Sequence, residues 1–480
     1  MWIYLIIGVT VALAALVATV VVRTLMFTVK PAERKEYEDF NIDTEKAVND
    51  LAEMVRCRTV SSVNKAEEEE AEFDKFKTLL PRLFPNIHRS CELEQVGSRG
   101  LLYHLKGKNE NAPTVLMAHF DVVSVEEENW QRPPFDGILE DGVLWGRGTL
   151  DTKATLNGAM QALEKLLSDG FIPENDLYLA FAGDEEVNGC GAPMIVDLFE
   201  KRGITPGIVV DEGGAVVQKV FPGVSEPCAL IGIGEKGMLN LELSYSGNGG
   251  HASSPKPHTP VGILSAACVK VEGHPFEFRV TKPAAAMFNV LARHSSFAYR
   301  MIFANLWLFK GILNMICKKS GGELNALMRT TCAFTQMEGS KGMNVIPPKA
   351  KMVANLRLLE GDTTDSAIEY ISRVIDNPDV KLTNINGMNP SRVSSLDCDA
   401  WSRVSDAVAG TWQDAIVAPY LMVACSDSRH WGRISDKVYR FSAMAMTSEE
   451  RATIHGNNER ITVDAVTKAV EFYLRLISNS

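Results

Sequence analysis

The chain has 480 residues, 46% of them hydrophobic and 23% charged, so it is long enough for more than one globular domain. Its net charge of −11 argues against a nucleic-acid partner and against attraction to a membrane surface by bulk charge. Nine scattered cysteines without a C-x-x-C pair exclude a disulfide framework or a zinc-finger array, and they favour a reducing compartment.

An uncharged apolar run opens the chain. It extends from Trp2 to Val22 and is long enough to cross a bilayer as a helix. We predict an uncleaved single-pass membrane anchor over residues 1–23, followed by a tether over residues 24–42. A cleaved signal peptide and a buried helix of a soluble protein are the alternatives. A single span with no basic residue before it leaves the side of the membrane open.

A first globular unit is predicted from residue 43 to residue 236. Asp43 or Thr44 can cap its first helix, and the acidic run Glu67 to Glu70 suits the solvated first turn of another helix better than a cation site. Strands and helices then alternate, which indicates βαβ units and a mostly parallel sheet. In such sheets ligands bind beyond the carboxyl ends of the strands.

One predicted strand of this unit ends in a histidine and a carboxylate. The apolar run Val115 to Ala118 precedes His119 and Asp121, which share a face because residues two apart in a strand point the same way. One interpretation is a metal ligand whose imidazole is oriented by the carboxylate. The other is a histidine at a strand end paired with a surface aspartate.

Two acidic clusters follow further strand predictions. Asp151, in WGRGTLDTK, suits a carboxylate that bridges two metals or the N-cap of the next helix, and it can be both. Glu185 and Glu186 directly follow the strand DLYLAFA, where adjacent carboxylates repel each other unless a cation is present. One could bind a metal while its neighbour acts as a general base. The alternative is a pair of solvated loop acids.

Two more clusters complete the set. Asp211 follows the strand GIVV, and His455 lies in IHGNNE near the C terminus. Together the clusters supply two histidines and three or four carboxylates, which is the kind of set that two metals about 3.5–4 Å apart require. Such ligands suit zinc, and cobalt or manganese also fit them.

The motifs HFDVV, WGRGTLDTK, GDEEVNG, DEGG and IHGNNE, in this order and spacing, resemble those of the M20 metallopeptidases. Within that family the chain is most similar to the branch of carboxypeptidase S and the N-acyl amino acid hydrolases. The resemblance covers roughly residues 43–478. It implies an α/β catalytic domain with a mostly parallel sheet and flanking helices, split into residues 43–236 and 359–480. An inserted α+β lid and dimerisation domain would occupy residues 237–358.

The resemblance also implies two zinc ions per subunit. One ion would be held by His119, Asp151 and Asp211, and the other by His455, Asp151 and Glu186. Glu185 would be the general base, and Asp121 would orient His119.

In the lid, the resemblance points to three residues. His251, in SGNGGHASSP, resembles a histidine that stabilises the oxyanion and that reaches into the partner's site in dimeric members, so a homodimer is one implied assembly. Asn344 and Arg357 resemble a segment that meets the substrate's terminal carboxylate, and a guanidinium can bind a carboxylate at two points. The alternative for Arg357 is an ordinary arginine at a strand end.

The lid also contains an apolar segment, residues 287–316. We predict an amphipathic helix packed within the lid. A more specific hypothesis makes Phe303 and Trp307 part of an apolar rim for a greasy acyl group, near a bilayer surface.

These observations predict a di-zinc hydrolase of amide bonds next to a free carboxylate, acting as a carboxypeptidase on short peptides. An N-acyl amino acid amidohydrolase with the same site is the first alternative. A zinc-dependent binding protein with a vestigial site is the second, although a complete ligand set argues against it.

Overall fold

The computed structural model describes residues 1–29 and 35–479, so part of the predicted tether, residues 30–34, lies outside the described residues. The helices are α1 (Trp2–Met26), α2 (Thr44–Val55), α3 (Glu70–Leu83), α4 (Pro85–Ser90), α5 (Lys153–Ser168), α6 (Gly191–Arg202), α7 (Pro260–Gly273), α8 (Lys282–His294), α9 (Phe297–Ala304), α10 (Leu306–Ser320), α11 (Gly322–Met328), α12 (Thr364–Ile375), α13 (Asp399–Thr411), α14 (Ser448–Arg451) and α15 (Val463–Ser478). The strands are β1 (Glu92–Val96), β2 (Gly100–Leu105), β3 (Asn109–His119), β4 (Ile138–Glu140), β5 (Val143–Trp145), β6 (Asn175–Ala182), β7 (Ile208–Val217), β8 (Cys228–Glu235), β9 (Gly237–Ser246), β10 (Gly250–His251), β11 (Thr331–Glu338), β12 (Val345–Ile346), β13 (Lys349–Leu358), β14 (Lys381–Met388), β15 (Ile416–Met422), β16 (Val438–Met446) and β17 (Arg460–Thr462).

The large sheet has eight strands in the order β1-β2-β6-β3-β7-β16-β8-β15. Its centre, from β6 to β16, is parallel, and β1, β2 and the pairing of β8 with β16 add antiparallel neighbours. The predicted mostly parallel sheet with flanking helices is therefore confirmed. The polar residues that follow β3 and β6 meet those of β7 just past its pairing with β3, because parallel strands run to the same side of the sheet.

Both faces of β3 are covered, which explains its continuous apolar sequence. Leu116 and Ala118 belong to the core that includes α5 and α15, whereas Val115 and Met117 pack with Phe199 of α6 on the opposite face. The predicted cap of α2 also forms, since the Asp43 side chain accepts a hydrogen bond from the backbone of Lys46. These contacts hold the end of β3 rigidly in the middle of the catalytic unit.

The lid is built on a second, antiparallel sheet of four strands in the order β11-β13-β9-β14. Leu239, Leu241 and Leu243 of β9 pack with helices α7 and α12. The sheet extends past the predicted boundary at residue 358, because β14 pairs with β9 along its whole length. The sequence of β14 carries no apolar alternation that would indicate a strand, since β14 is polar and mostly exposed.

The apolar lid segment forms three helices, α8 to α10, rather than one. Helix α8 packs against β15 of the large sheet and not with the core of the lid sheet. Phe303 is buried against Phe221 and Phe288, so it forms part of the core and not of a rim. Trp307 is exposed.

Helix α1 is long and apolar enough to cross a membrane, by length and composition. Nearly all of its surface is exposed, and only Val20 and Thr24 are buried, against the corner between α9 and α10.

Candidate metal centre and active site

The loops at the edge of the large sheet bring together five predicted side chains, those of His119, Asp151, Glu185, Glu186 and His455. Asp151 lies between the two imidazoles: its Oδ1 is 3.0 Å from His119 Nε2 and its Oδ2 is 2.9 Å from His455 Nε2. Glu186 Oε2 is 3.0 Å from His455 Nε2. Ligand atoms of His119, Asp151 and Glu186 lie within 4.8 Å of one another. One carboxylate with an oxygen toward each histidine is the arrangement that a bridging ligand needs.

Asp151 does not serve as the helix cap that its sequence context also allowed. Thr152 occupies the N-cap position of α5, and no side chain caps that helix end. The carboxylate of Asp151 is directed at the two histidines instead.

Asp121 fixes both His119 and the loop that carries Glu185. Its backbone oxygen lies 3.0 Å from His119 Nδ1, which leaves Nε2 free to face Asp151. Its carboxylate accepts hydrogen bonds from the backbone N–H groups of Glu185 and Glu186, at 3.1 Å each, and from the Ser61 hydroxyl. Asp121 is therefore placed to hold the imidazole tautomer and the turn in one geometry.

The structure differs from the prediction at residues 211 and 212 of β7, just past the last pair that β7 forms with β3. Glu212, rather than Asp211, faces the cluster, with Oε1 at 3.3 Å from His119 Nε2. Ligand atoms of His119, Glu185 and Glu212 also lie within 4.8 Å of one another. Asp211 points to the other face of the strand, where its carboxylate accepts a hydrogen bond from the backbone of Ser428. Neighbouring residues of a strand point to opposite faces, so only one of the two can face the site.

Sequence reasoning missed the role of Glu459. This fully buried carboxylate accepts hydrogen bonds from the backbone of Gly148, Leu150 and Asp151, and it forms an ion pair with Arg147. Glu459 therefore fixes the loop that presents Asp151. The signal was available, because Glu459 closes the IHGNNE motif that also contains His455.

The buried carboxylates of the cluster need nearby positive charge to stay ionised. Burial raises the pKa of Glu185 well above its ordinary range and the pKa of Glu212 to about 8. Burial would also raise the pKa of Asp151, but hydrogen bonds from His119 and His455 outweigh it and lower that pKa. Hydrogen bonds to Asp151 and Glu186 raise the pKa of His455 to about 10.

The donor set fits divalent metal ions. Glu186 Oε1 is buried and has no hydrogen-bond partner among the described residues, so a ligand-capable oxygen is left over. Buried carboxylates that crowd around two imidazoles repel one another unless cations lie between them. Nitrogen and oxygen donors of this kind suit zinc and neighbouring divalent metals.

A cavity of about 330 Å³ adjoins the cluster. One end is formed by the acidic and histidine side chains of the cluster, and the wall beyond them is mainly apolar. That wall includes Leu230, Tyr420, Met422, Met444 and Met446. The cavity therefore joins a charged reaction centre to space that accepts an apolar group.

The three predicted lid residues differ in their positions. Arg357 reaches the cavity wall, since its Nη1 lies 3.6 Å from the sulfur of Cys425, a lining residue. His251 is exposed on the lid hairpin, and its ring bonds to Ser253 of the same loop. Asn344 lies beside it, with its backbone oxygen accepting a hydrogen bond from Ala252. The structure thus brings Arg357 to the wall of the cavity, whereas His251 and Asn344 lie on the lid hairpin.

The sheet, the inserted lid and the acidic cluster with two histidines define a hydrolytic metallopeptidase. The model of peptidase family M20/M25/M40 matches residues 115–479, and the chain belongs to this family. The family expected from the five motifs is thereby confirmed.

Two relatives match almost the whole chain. One is a probable carboxypeptidase S-like 2 of Dictyostelium discoideum, 33% identical over 98% of this chain and 92% of the relative. The other is an N-fatty-acyl-amino acid synthase/hydrolase, PM20D1, of Xenopus tropicalis, 35% identical over 98% of this chain and 94% of the relative. The predicted branch of the family is confirmed by these relatives.

A solved structure supports the fold. The crystal structure of the M20 family metallo-carboxypeptidase Sso-CP2 from Sulfolobus solfataricus matches with a TM-score of 0.64. The match covers 90% of this chain and 98% of that chain, at 17% identity.

Proposed function

We propose that this chain is a di-metal hydrolase that cleaves an amide bond next to a free carboxylate. One observation carries the proposal: Asp151 lies between His119 and His455, while the Glu185 side chain approaches the same point from the end of β6. A binding protein would not need a general base at this position.

Five side chains would hold the two metal ions. His119, Asp151 and Glu212 are suited to one ion, and His455, Asp151 and Glu186 are suited to the other. Glu212 thus replaces Asp211, the ligand that the sequence predicts. The chemistry that bound divalent ions would supply there is polarisation of the scissile carbonyl and a lower pKa for the attacking water.

Glu185 has the position and the environment of the proton carrier. Because burial raises the pKa of its carboxyl, it can accept a proton from the attacking water and then keep it. It would next donate this proton to the nitrogen of the departing amine. The backbone of Glu185 is fixed by Asp121, so the carboxylate needs little reorganisation between the two transfers.

Arg357 is the proposed contact for the free carboxylate of the substrate. It lies at the cavity wall beside Cys425, and it carries a planar group that binds carboxylates through two parallel hydrogen bonds. This guanidinium would select substrates in which the amide nitrogen belongs to an amino acid with a free carboxylate.

The apolar wall of the cavity favours a second candidate function, hydrolysis of N-acyl amino acids with long acyl chains. Leu230, Tyr420 and the three methionines would surround a hydrocarbon chain better than a polar peptide. Burial of each methylene contributes about 0.8 kcal/mol, so kcat/KM should rise about fourfold per added methylene until the cavity is full.

The deciding experiment is hydrolysis by the full chain in nanodiscs with added zinc. One substrate series would be N-blocked dipeptides, and the other would be N-acyl amino acids of increasing chain length. Release of free amino acid supports the proposal, and the better series gives the substrate class. Glu185→Gln should lower kcat by about 10²–10⁴-fold and retain bound metal.

A matched control is Glu174→Gln, which removes an exposed carboxylate paired with Lys108 on the far side of the unit. It should leave hydrolysis unchanged. If the wild-type chain binds two metals but releases no amino acid from either series, the vestigial binding site becomes the better account.

We also propose that α1 anchors the enzyme in a membrane and that His251 acts in a homodimer. The first proposal is supported by the exposure and apolar composition of α1. The second is supported by the exposure of His251 on the lid hairpin, away from the cluster of its own chain.

A further inference from the structure

Helix α10 is apolar on two opposite faces. Leu313 and Cys317 are buried against the protein, whereas Ile312 is 50% exposed and Met315 is 63% exposed. Trp307, at the start of the helix, is 57% exposed. A helix that carries large apolar side chains on opposite faces is most stable where both faces meet apolar surroundings. The outer face of α10 therefore needs a second apolar environment.

The exposed surface continues onto α1, the proposed membrane anchor. Arg23 donates a hydrogen bond of 3.1 Å to the backbone oxygen of Ala304, and Asn305 donates to the Thr24 hydroxyl at 3.3 Å. Nearby, the guanidinium of Arg293 lies 4.3 Å from the centre of the Phe27 ring. These contacts fix the corner between α9 and α10 against the last turns of α1.

The point at which this corner contacts α1 determines how deep α9 and α10 would lie in a membrane that α1 crosses. Asn305 also donates to the backbone oxygen of Val20, three residues before Arg23, the first charged residue of α1. At the helical rise per residue, this point lies roughly 4–5 Å inside the apolar part of α1. Helices α9 and α10 together have the length and composition of a membrane span, but they bend by 110°. This geometry suits helices that lie in a membrane surface.

The charge of this region differs from that of the rest of the chain. Residues 278–322 contain no Asp or Glu although the chain carries a net charge of −11. Their cations are Arg279, Lys282, Arg293, Arg300, Lys310, Lys318 and Lys319. Lysines beside an exposed apolar face are typical of helices that bind the interface of an anionic bilayer.

We infer that the exposed face of α9 and α10 lies in the interface of the same bilayer that α1 crosses. The inference rests on the proposed membrane anchor. Helix α11 begins directly after α10, and its Glu323 lines the cavity and accepts a hydrogen bond of 3.0 Å from the Tyr420 hydroxyl. Because a lining residue of the cavity follows α10 so closely, docking of the lid brings the cavity near the membrane surface, where a substrate with a long acyl chain dissolves.

The test is photolabelling of the full chain in vesicles that contain a photoactivatable phospholipid. The vesicles would consist of phosphatidylcholine with about 20% phosphatidylserine, so that anionic headgroups are present. Labelled peptides would be identified by mass spectrometry. We expect lipid adducts on residues 297–320 as well as on α1, and no adducts on equally exposed apolar residues of the catalytic unit such as Ile172.

Two variants sharpen the test. Trp307→Ser, Ile312→Ser and Met315→Ser together should strongly reduce labelling of residues 297–320 and leave labelling of α1 intact. Lys310→Glu, Lys318→Glu and Lys319→Glu together should reduce it about fivefold in anionic vesicles and less in neutral ones. Ile172→Ser is the matched control and should change neither signal.

Three outcomes would overturn the inference. The first is labelling confined to α1, and the second is labelling of residues 297–320 that neither triple variant changes. The third is cross-linking of this face to a second copy of the chain in place of lipid. Absence of labelling on α1 itself would instead contradict the proposed anchor. Because photolabelling does not measure hydrolysis, a failure of the membrane inference can be told apart from a failure of the proposed reaction.

Discussion

The acidic cluster and the tip of the lid differ in what holds their side chains. In the cluster, Glu459 accepts hydrogen bonds from three backbone N–H groups, and Asp121 accepts two more. At the lid tip, His251 is exposed and bonds to Ser253, two residues along the same loop. The cluster is thus fixed by contacts within its own chain, whereas the lid tip is exposed and bonds within its own loop. Substitutions in the two regions should fail in different ways.

The largest effect is expected at Glu212, within β7. Glu212→Gln should remove one bound metal and lower kcat/KM by about 1,000-fold or more, because a metal contributes several kcal/mol of charge stabilisation. Metal content after dialysis, measured by mass spectrometry, gives the direct readout. The matched control is Asp211→Asn, which changes the adjacent carboxylate and should retain both metals.

Loss of metal from Asp211→Asn but not from Glu212→Gln would mean that Asp211 is the ligand, as predicted from the sequence.

The sequence alone does not decide between Asp211 and Glu212 as the ligand. Successive residues of a strand alternate between faces, and which face meets the cluster depends on how β7 pairs with β3 and β16.

Other parts of the site were more predictable. His119 ends β3 and Glu185 follows β6, two buried parallel strands that run side by side with His119 opposite Ala182. Their proximity follows from the alternation of strands and helices together with the apolar runs. The lid was less predictable, because β14 has no apolar alternation and α9 is positioned by contacts with α1, almost 300 residues away along the chain.

The second prediction concerns the lid tip. His251→Ala should lower kcat by about 100-fold, the usual loss when one oxyanion donor is removed. If the histidine acts on a partner subunit, mixing His251→Ala with the inactive Glu185→Gln chain should restore activity. A mixed dimer would contain one site with both Glu185 and a His251 from the other subunit.

The comparison for this mixing experiment is Glu185→Gln combined with Glu212→Gln, two changes in the same cluster. That mixture should stay inactive, because no mixed dimer could assemble an intact cluster. Equal recovery in both mixtures, or none in either, would argue that His251 does not act across subunits.

The third prediction concerns Arg357, which belongs to the lid but contacts the cavity wall. Arg357→Ala should raise KM by roughly 30-fold with a smaller change in kcat, because a hydrogen-bonded contact to a charged group is lost. Arg357→Lys should restore only part of the affinity, since a lysine offers no planar fork. Substrates with an amidated terminus should show almost no difference between wild type and variant.

Arg373→Ala is the control, an exposed arginine on helix α12 of the lid. A similar rise in KM for this variant would mean that the lid's overall charge, and not the contact at Arg357, attracts the substrate.

The smallest effect is expected at the junction of the two regions. Lys236, between β8 and β9, is buried, and its Nζ donates to the backbone oxygens of Ala326 and Arg329 at 2.8 and 2.9 Å. Burial, reinforced by the charge of Arg357, lowers the pKa of Lys236 to about 7. A lysine in the unfolded chain has a pKa near 10.4, so between these values the unfolded state binds more protons than the folded state. The free energy of unfolding should therefore rise with pH across this window, by about 2 kcal/mol from pH 7 to pH 9.

Lys236→Met should abolish this part of the pH response. Thermal unfolding at pH 7 and pH 9 would show it as a rise in Tm that is a few degrees larger for wild type than for the variant. The quantity to compare between wild type and Lys236→Met is the change in Tm from pH 7 to pH 9. The absolute Tm values also differ because the variant loses hydrogen bonds, and this difference cancels in the comparison. Lys349→Met, which replaces an exposed lysine of β13, should keep the wild-type response. An identical pH response in all three chains would show that the junction does not hold a buried, partly neutral lysine, and that the lid meets the catalytic unit through a more open contact.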